Sequence, residues 1–427
     1  MRPLAAARSS FVALVLGLPA APAMAADPPI AQAEDDEYTR YELLDPATAA
    51  FRITYEVTAT APGATVFFNP IRKGSTATDE AVLDRLTGRP LPFDVVPGSV
   101  ARAGGLPDAD LETSYIRIRL ARPVPKEGET RLLILKTYAD PKSYLREGDT
   151  IVFSRSLGIR RNAIVLPPGY EVASLNVPSQ VLTEPDGRLL VSFMNAGPTE
   201  MPVALKARRL LFPPSPPGPP ALSQDAAARL QDRARQDREI VYFLNPPETH
   251  SFDLYHDYTE TRPGVDKYLN VVRKGSTASN PSALILDTGE ALKVETLRGE
   301  AITRAGIDLT GELEGPVQPD TEVVVVRFAP VTAGGSVRLR ISETYTDATR
   351  YRLDGDELVF DRSLGRPRNA IVLPAGFYPT ACSIPATVSE TADGRIRFDF
   401  VNNRPDTVDV LLKARRRGRP SAPPMGR

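Results

Sequence analysis

The sequence predicts an all-β protein: a tandem duplication of antiparallel β-sandwich domains, joined by a proline-rich linker and one short helix. Three observations lead there. First, Ser156-Leu157-Gly158-Ile159-Arg160-Arg161-Asn162-Ala163-Ile164-Val165-Leu166-Pro167 returns 207 residues later as Ser363-Leu364-Gly365-Arg366-Pro367-Arg368-Asn369-Ala370-Ile371-Val372-Leu373-Pro374. Arg72-Lys73-Gly74-Ser75-Thr76-Ala77 likewise returns 201 residues later as Arg273-Lys274-Gly275-Ser276-Thr277-Ala278. Two long words in one order at nearly one spacing mean duplication. Second, the hydrophobic period inside each copy is two, the period of a strand with one face in the core. Third, the 42 prolines argue against a mainly helical chain.

Taken in order, residues 1–25 read as a secretory signal. Arg2 and Arg8 precede the apolar run Phe11 to Leu18, and Ala23-Met24-Ala25 offers a small-x-small cleavage site. The apolar run is shorter than the roughly 20 residues of a membrane span, and none follows that is long enough. The mature protein is therefore expected to be exported, periplasmic or extracellular, with no transmembrane segment. Residues 26–37, ending in Glu34-Asp35-Asp36-Glu37, are expected to be a disordered acidic lead.

The first repeat covers residues 38–211. Tyr115 to Leu120 alternates aliphatic and arginine, as do Ser336 to Ile341 and Arg395 to Phe400 in the second repeat. Val323-Val324-Val325-Val326 reads as a strand buried on both faces. Glu147-Gly148-Asp149, Asp354-Gly355-Asp356, Asp186-Gly187 and Asp393-Gly394 read as hairpin turns. Each copy is either one large sandwich or two lobes that divide near Ser156 and Ser363. Residues 212–222 form a polyproline-type spacer, and 223–239 a helix with a thin apolar stripe, expected to lie against the second domain. The second repeat covers 240–416, and residues 417–427 are a basic disordered tail.

The composition is that of ordinary globular protein, and the net charge of −1 recommends neither nucleic acid nor an anionic membrane as partner. Familiar catalytic words are missing, including G-x-S-x-G, H-E-x-x-H, a Walker loop and C-x-x-C. Cys382 is the only cysteine, which rules out an intrachain disulfide, and its apolar neighbours mark it as a small buried residue. His250 and His256 fall in copy two alone. Six residues apart on one strand they stand about 20 Å from each other, too far to share a metal, so they read as exposed strand histidines. No cofactor is expected.

Two constellations repeat in both copies. Arg72-Lys73 and Arg273-Lys274, each before a glycine, offer donors for an anion, although a turn is the simpler reading. Arg161 and Arg368 open a buried strand and need partners; Asp140 and Asp347, each 21 residues earlier, are the expected carboxylates. A ligand contact is the other reading of these four residues. In general style the strand alternation resembles β-rich accessory domains of secreted peptidases and of surface-adhesion proteins. The expected role is a non-catalytic binding or scaffolding protein of the cell envelope, acting on an unidentified envelope protein or polymer. The competing role is a hydrolase or peptidase accessory subunit with a carboxylate and histidine site in the second repeat.

Overall fold

A computed structural model describes residues 29–210 and 224–417, apart from Pro198, Gln236, Gly311, Glu314 and Pro405. The segment expected to be a signal, the proline-rich stretch and residues 418–427 lie outside the described residues.

The fold is all-β. In the first repeat one seven-stranded sheet runs Gln180–Thr183, Leu189–Met194, Arg161–Val165, Glu34–Leu43, Ala50–Ala59, Thr130–Ala139, Thr76–Asp84. Two smaller sheets cover its inner face. Val66–Pro70, Ser114–Arg119 and Phe93–Pro97 form one; Tyr170–Leu175, Met201–Arg209, Thr150–Leu157 and Tyr144–Glu147 form the other. Phe51, Ile53, Tyr55 and Val57 alternate inward along Ala50–Ala59, and one hydrophobic cluster joins them to both covers through Phe67, Ile118, Phe153 and Leu205. The choice between one sandwich and two lobes thus resolves as one continuous sheet under two covers. The second repeat has the same plan, with a two-residue edge strand, Glu290–Ala291, making eight.

The repeated block supplies the strand that makes the large sheet continuous. Arg161–Val165 pairs in parallel with Glu34–Leu43, and Arg368–Val372 pairs in parallel with Glu239–Leu244. The other pairings of the sheets are antiparallel. All five residues of each block strand are buried, because the second face is covered too. In the first repeat that cover is the helix Gln224–Arg235. Leu230 and Ala234 pack on Tyr38, Ala163, Val165, Leu182 and Leu190.

Three expectations are corrected here. The acidic lead is not disordered from 26 to 37: Glu34–Leu43 is a strand, with Glu34 opposite Ala59 and a register shift after Asp35. Backbone pairing overrides the acidic composition. The helix packs its apolar stripe on the first repeat, while its Arg233 donates to the Gly365 carbonyl of the second, and it ends at Arg235 rather than 239, where the next strand opens. The expectation of one short helix is also corrected, because Gly98–Ala103 and Glu300–Arg304 are short helices as well.

The two repeats touch through matched positions. Glu129 N donates to the Leu286 carbonyl at 2.8 Å, and Ser336 N to that of Leu86 at 3.2 Å. A side chain at Gly128 would collide with the Leu286 carbonyl, and one at Gly335 with the Leu86 carbonyl, so both approaches need glycine. Gln180 donates to the Asn403 carbonyl at 3.4 Å while Thr387 donates to the Ala196 carbonyl at 3.3 Å. The donors exchanged in these contacts are 207 apart, as are the acceptors Ala196 and Asn403, while Leu86 and Leu286 are 200 apart, so the repeats meet in a pseudo-two-fold manner.

Candidate binding pocket

Strand alternation points Ile134, Lys136 and Tyr138 into the first repeat, so a lysine occupies a position where the core calls for an aliphatic. Asn69, from the facing three-stranded sheet, accepts a hydrogen bond from Lys136 Nζ at 2.7 Å. The ammonium also lies 5.1 Å from the Tyr138 ring centroid. Burial, with the charge of Arg155 behind it, pushes the Lys136 pKa down to about 8.

These groups form the floor of a cavity of about 480 Å³ whose walls include Tyr41, Tyr55, Phe68, Tyr115 and Ile159. Arg155 points in from the four-stranded sheet, its guanidinium carbon 5.5 Å from the Phe51 ring and 5.8 Å from that of Tyr138. It pairs with Asp140 at 3.2 Å. Burial pushes the Asp140 carboxyl up, but hydrogen bonds from Ser143 and the charge of Arg155 outweigh it and keep it ionised. Glu37 stands at the cavity edge, and burial holds its carboxyl above the ordinary range. A larger, polar recess of about 590 Å³ lies elsewhere on this repeat, lined by Arg52, Arg146, Arg188 and Arg209 among others, of which Arg188 pairs with Asp186 at 2.7 Å and with Glu42 at 3.6 Å.

The second repeat keeps the framework and reverses the charge. Glu343 stands where Lys136 does, 207 residues on, and Asn270 stands where Asn69 does. Asn270 Nδ2 donates to Glu343 Oε2 at 2.9 Å, and burial raises the Glu343 pKa to about 6. Arg362 takes the place of Arg155 and lies 4.0 Å from Asp347. His256 takes that of Tyr55.

No protein-family model matches the chain, and no curated protein matches it. Among solved structures it is similar to a mutant of a two-domain M1 zinc metallopeptidase bound to L-arginine, at 9% identity and a TM-score of 0.27, with 42% of each chain covered. It is also similar to a putative nutrient binding protein from Legionella pneumophila subsp. pneumophila str. Philadelphia 1, at 9% identity and a TM-score of 0.26, covering 42% of this chain and 68% of that one. This chain thus spans less than half the length of the metallopeptidase. Likenesses this slight carry no argument about chemistry.

The arginines expected to pair with Asp140 and Asp347 do not do so. Asp140 and Asp347 take Arg155 and Arg362, each 15 residues on, because the hairpin brings the strands Thr150–Leu157 and Glu357–Leu364 back beside them. Arg161 and Arg368 open the next strand, which has crossed to the large sheet. Arg161 lies over the Tyr38 ring at 5.3 Å and donates to the Arg235 carbonyl at 3.1 Å. Arg368 bonds Glu239 at 2.6 Å.

The arginine-lysine words are turns: Ser75 N bonds the Arg72 carbonyl at 3.2 Å, Ser276 N bonds that of Arg273 at 3.0 Å, and Gly74 and Gly275 take φ of 82° and 86°. Lys73 is engaged by Asp110 and Glu112, and Lys274 by Asp320. Arg273 donates to the Ser363 carbonyl at 3.3 Å, whereas Arg72 lies at the pocket lining.

The histidines are not exposed strand neighbours. His250 has left-handed φ of 52° before the strand begins and its Nδ1 lies 3.0 Å from the Tyr351 carbonyl oxygen. His256 is 4% exposed, its Nδ1 2.9 Å from the Tyr268 hydroxyl, and burial drives its pKa well below 6.5. Among the described residues, no group of three or more His, Cys, Asp or Glu could hold a metal ion, and no helix is long and apolar enough to cross a membrane. Cys382 is half-buried rather than buried.

Sequence reading missed Lys136, Asn69 and Arg155. The signal was present: Leu132, Ile134, Lys136 and Tyr138 share one strand face, as do Leu339, Ile341, Glu343 and Tyr345, so both copies place a charge where the period demands an apolar residue.

Proposed function

We propose that the chain is an exported, non-catalytic binding protein of the cell envelope, and that its first repeat takes a small organic anion in the pocket floored by Lys136 and Arg155. The observation that carries this is the unneutralised ammonium of Lys136: it is 7% exposed, and its partner is an amide oxygen rather than a carboxylate. A buried charge ordinarily has a counter-ion. Here a ligand carboxylate, sulfonate or phosphate would supply it. The tyrosine and phenylalanine walls suit an aromatic or aliphatic body. Export rests on the N-terminal segment.

Calorimetric titration with benzoate, and with benzylamine as the cationic counterpart, tests the reading. Benzoate should bind and benzylamine should not, and Lys136→Met should weaken benzoate by about tenfold or more, the scale of one charge-assisted hydrogen bond. Equal affinity for the two probes, or benzoate binding untouched in a folded Lys136→Met protein, refutes it.

A further inference from the structure

We propose that Lys136 captures aldehydes and 2-oxo acids in this pocket as a reversible covalent imine. The place given to a ligand carboxylate rests on the anion reading above; the covalent step rests on the surroundings of Lys136 itself.

An amine becomes a working nucleophile when it is desolvated, freed of a carboxylate and left open to its reactant. Lys136 alone among the lysines with assigned partners meets the first two conditions. Lys73, Lys267, Lys274, Lys293 and Lys413 each stand within 4.0 Å of an Asp or Glu oxygen. Lys136 instead rests on the Asn69 amide, which holds the nitrogen in position without stabilising its charge as a carboxylate would. The third condition is met because Lys136, though buried, lines an open cavity of about 480 Å³, large enough for a small carbonyl compound. The Arg155 charge opposes protonation, and that of Glu80 offsets only part of it. With a pKa of about 8 in place of 10.5, the neutral amine is roughly two to three orders of magnitude more abundant near neutral pH than on an ordinary lysine.

The chemistry balances without an oxidant or reductant. The ammonium gives one proton to pocket water, the nitrogen lone pair attacks the carbonyl carbon, and the carbonyl oxygen takes up a proton to give a carbinolamine. That first proton comes from the nitrogen; the oxygen then takes the second nitrogen-bound proton and leaves as water, and a C=N bond stands in place of C=O. In a 2-oxo acid the carboxylate would lie toward Arg155 and Arg72.

Treatment of the full-length mature protein with glyoxylate and limiting cyanoborohydride near neutral pH, followed by peptide mass mapping, tests the step. A parallel arm uses acetaldehyde, which carries no charge. Reductive alkylation should concentrate on Lys136 by about tenfold or more over the surface lysines, following its larger neutral fraction. Lys136→Arg, which keeps the cation and removes the reactive amine, should abolish that adduct. Adducts spread evenly over the lysines with both reagents overturn the proposal, whatever benzoate does. Selective labelling by acetaldehyde but not by glyoxylate keeps the imine and overturns the anion reading instead.

Discussion

Arg368 reaches Glu239 at 2.6 Å with both side chains largely buried, and Glu239 is also its register partner across the parallel pair. In the first repeat the register partner of Arg161 is Tyr38, a ring where the second repeat has a carboxylate, and the acid near Arg161 is Asp237 at 3.9 Å. That a buried arginine opened the block strand was legible in the sequence; its partner was not, because equal spacing of 21 residues cannot tell a strand that returns in its hairpin from one that leaves for another sheet. Arg368→Ala should destabilise the second repeat by about 3–5 kcal/mol, the cost of stranding one member of a buried pair. Asp347 is instead held by donors from Thr349 at 2.7 Å and Ser276 at 2.9 Å, with the Arg362 charge 4.0 Å away. Its own substitution by alanine should therefore add to Arg368→Ala with little coupling in urea melts. A coupling above about 1 kcal/mol would mean that the two residues share a network after all.

At the scale of elements, period and turn chemistry carried far. The strand Glu322–Arg327 is buried through its valines, and Gly148 and Gly355 turn their hairpins with φ of 63° and 65°. What local pattern could not convey is which sheet a strand joins. Glu34 to Glu37 read as a solvated acidic run because their pairing partner, Ala50–Ala59, becomes evident only from the register. The helix Gln224–Arg235 shows the same limit: its apolar stripe was visible, but its target was not, and it seats Ala234 against the outer face of the first repeat. Ala234→Arg should overfill that seat and cost about 1–3 kcal/mol. Hydrogen exchange should show lost protection in Arg161–Val165 and Leu189–Met194, the strands beneath the helix, and little change at Ile396–Val401. Loss centred on the second repeat would move the helix to the other side.

Across the whole molecule the duplication was plain in the sequence, while the contact between its copies was not, because neither half of the contact is a motif. At its centre Arg131 of the first repeat forks onto Asp287 of the second, with both bonds at 2.7 Å and Asp287 wholly buried. Ser336 Oγ takes a third guanidinium bond at 3.1 Å. Such bidentate geometry is the strong form of an ion pair. Asp287 also accepts from Arg338 N at 3.2 Å, a bond internal to the second repeat. The two roles can be separated. In the full chain Asp287→Ala leaves Arg131 buried without its carboxylate and should cost about 3–5 kcal/mol. In residues 224–417 produced alone, Arg131 is gone, and the same substitution should cost only about 1 kcal/mol, the worth of one ordinary hydrogen bond. Urea midpoints of the four proteins give the comparison. If Asp287→Ala costs the same in both settings, the repeats are independent bodies on a tether; if the costs differ as expected, the duplication has produced a single clamped unit, and the Lys136 and Glu343 interiors are held in one fixed relation to each other.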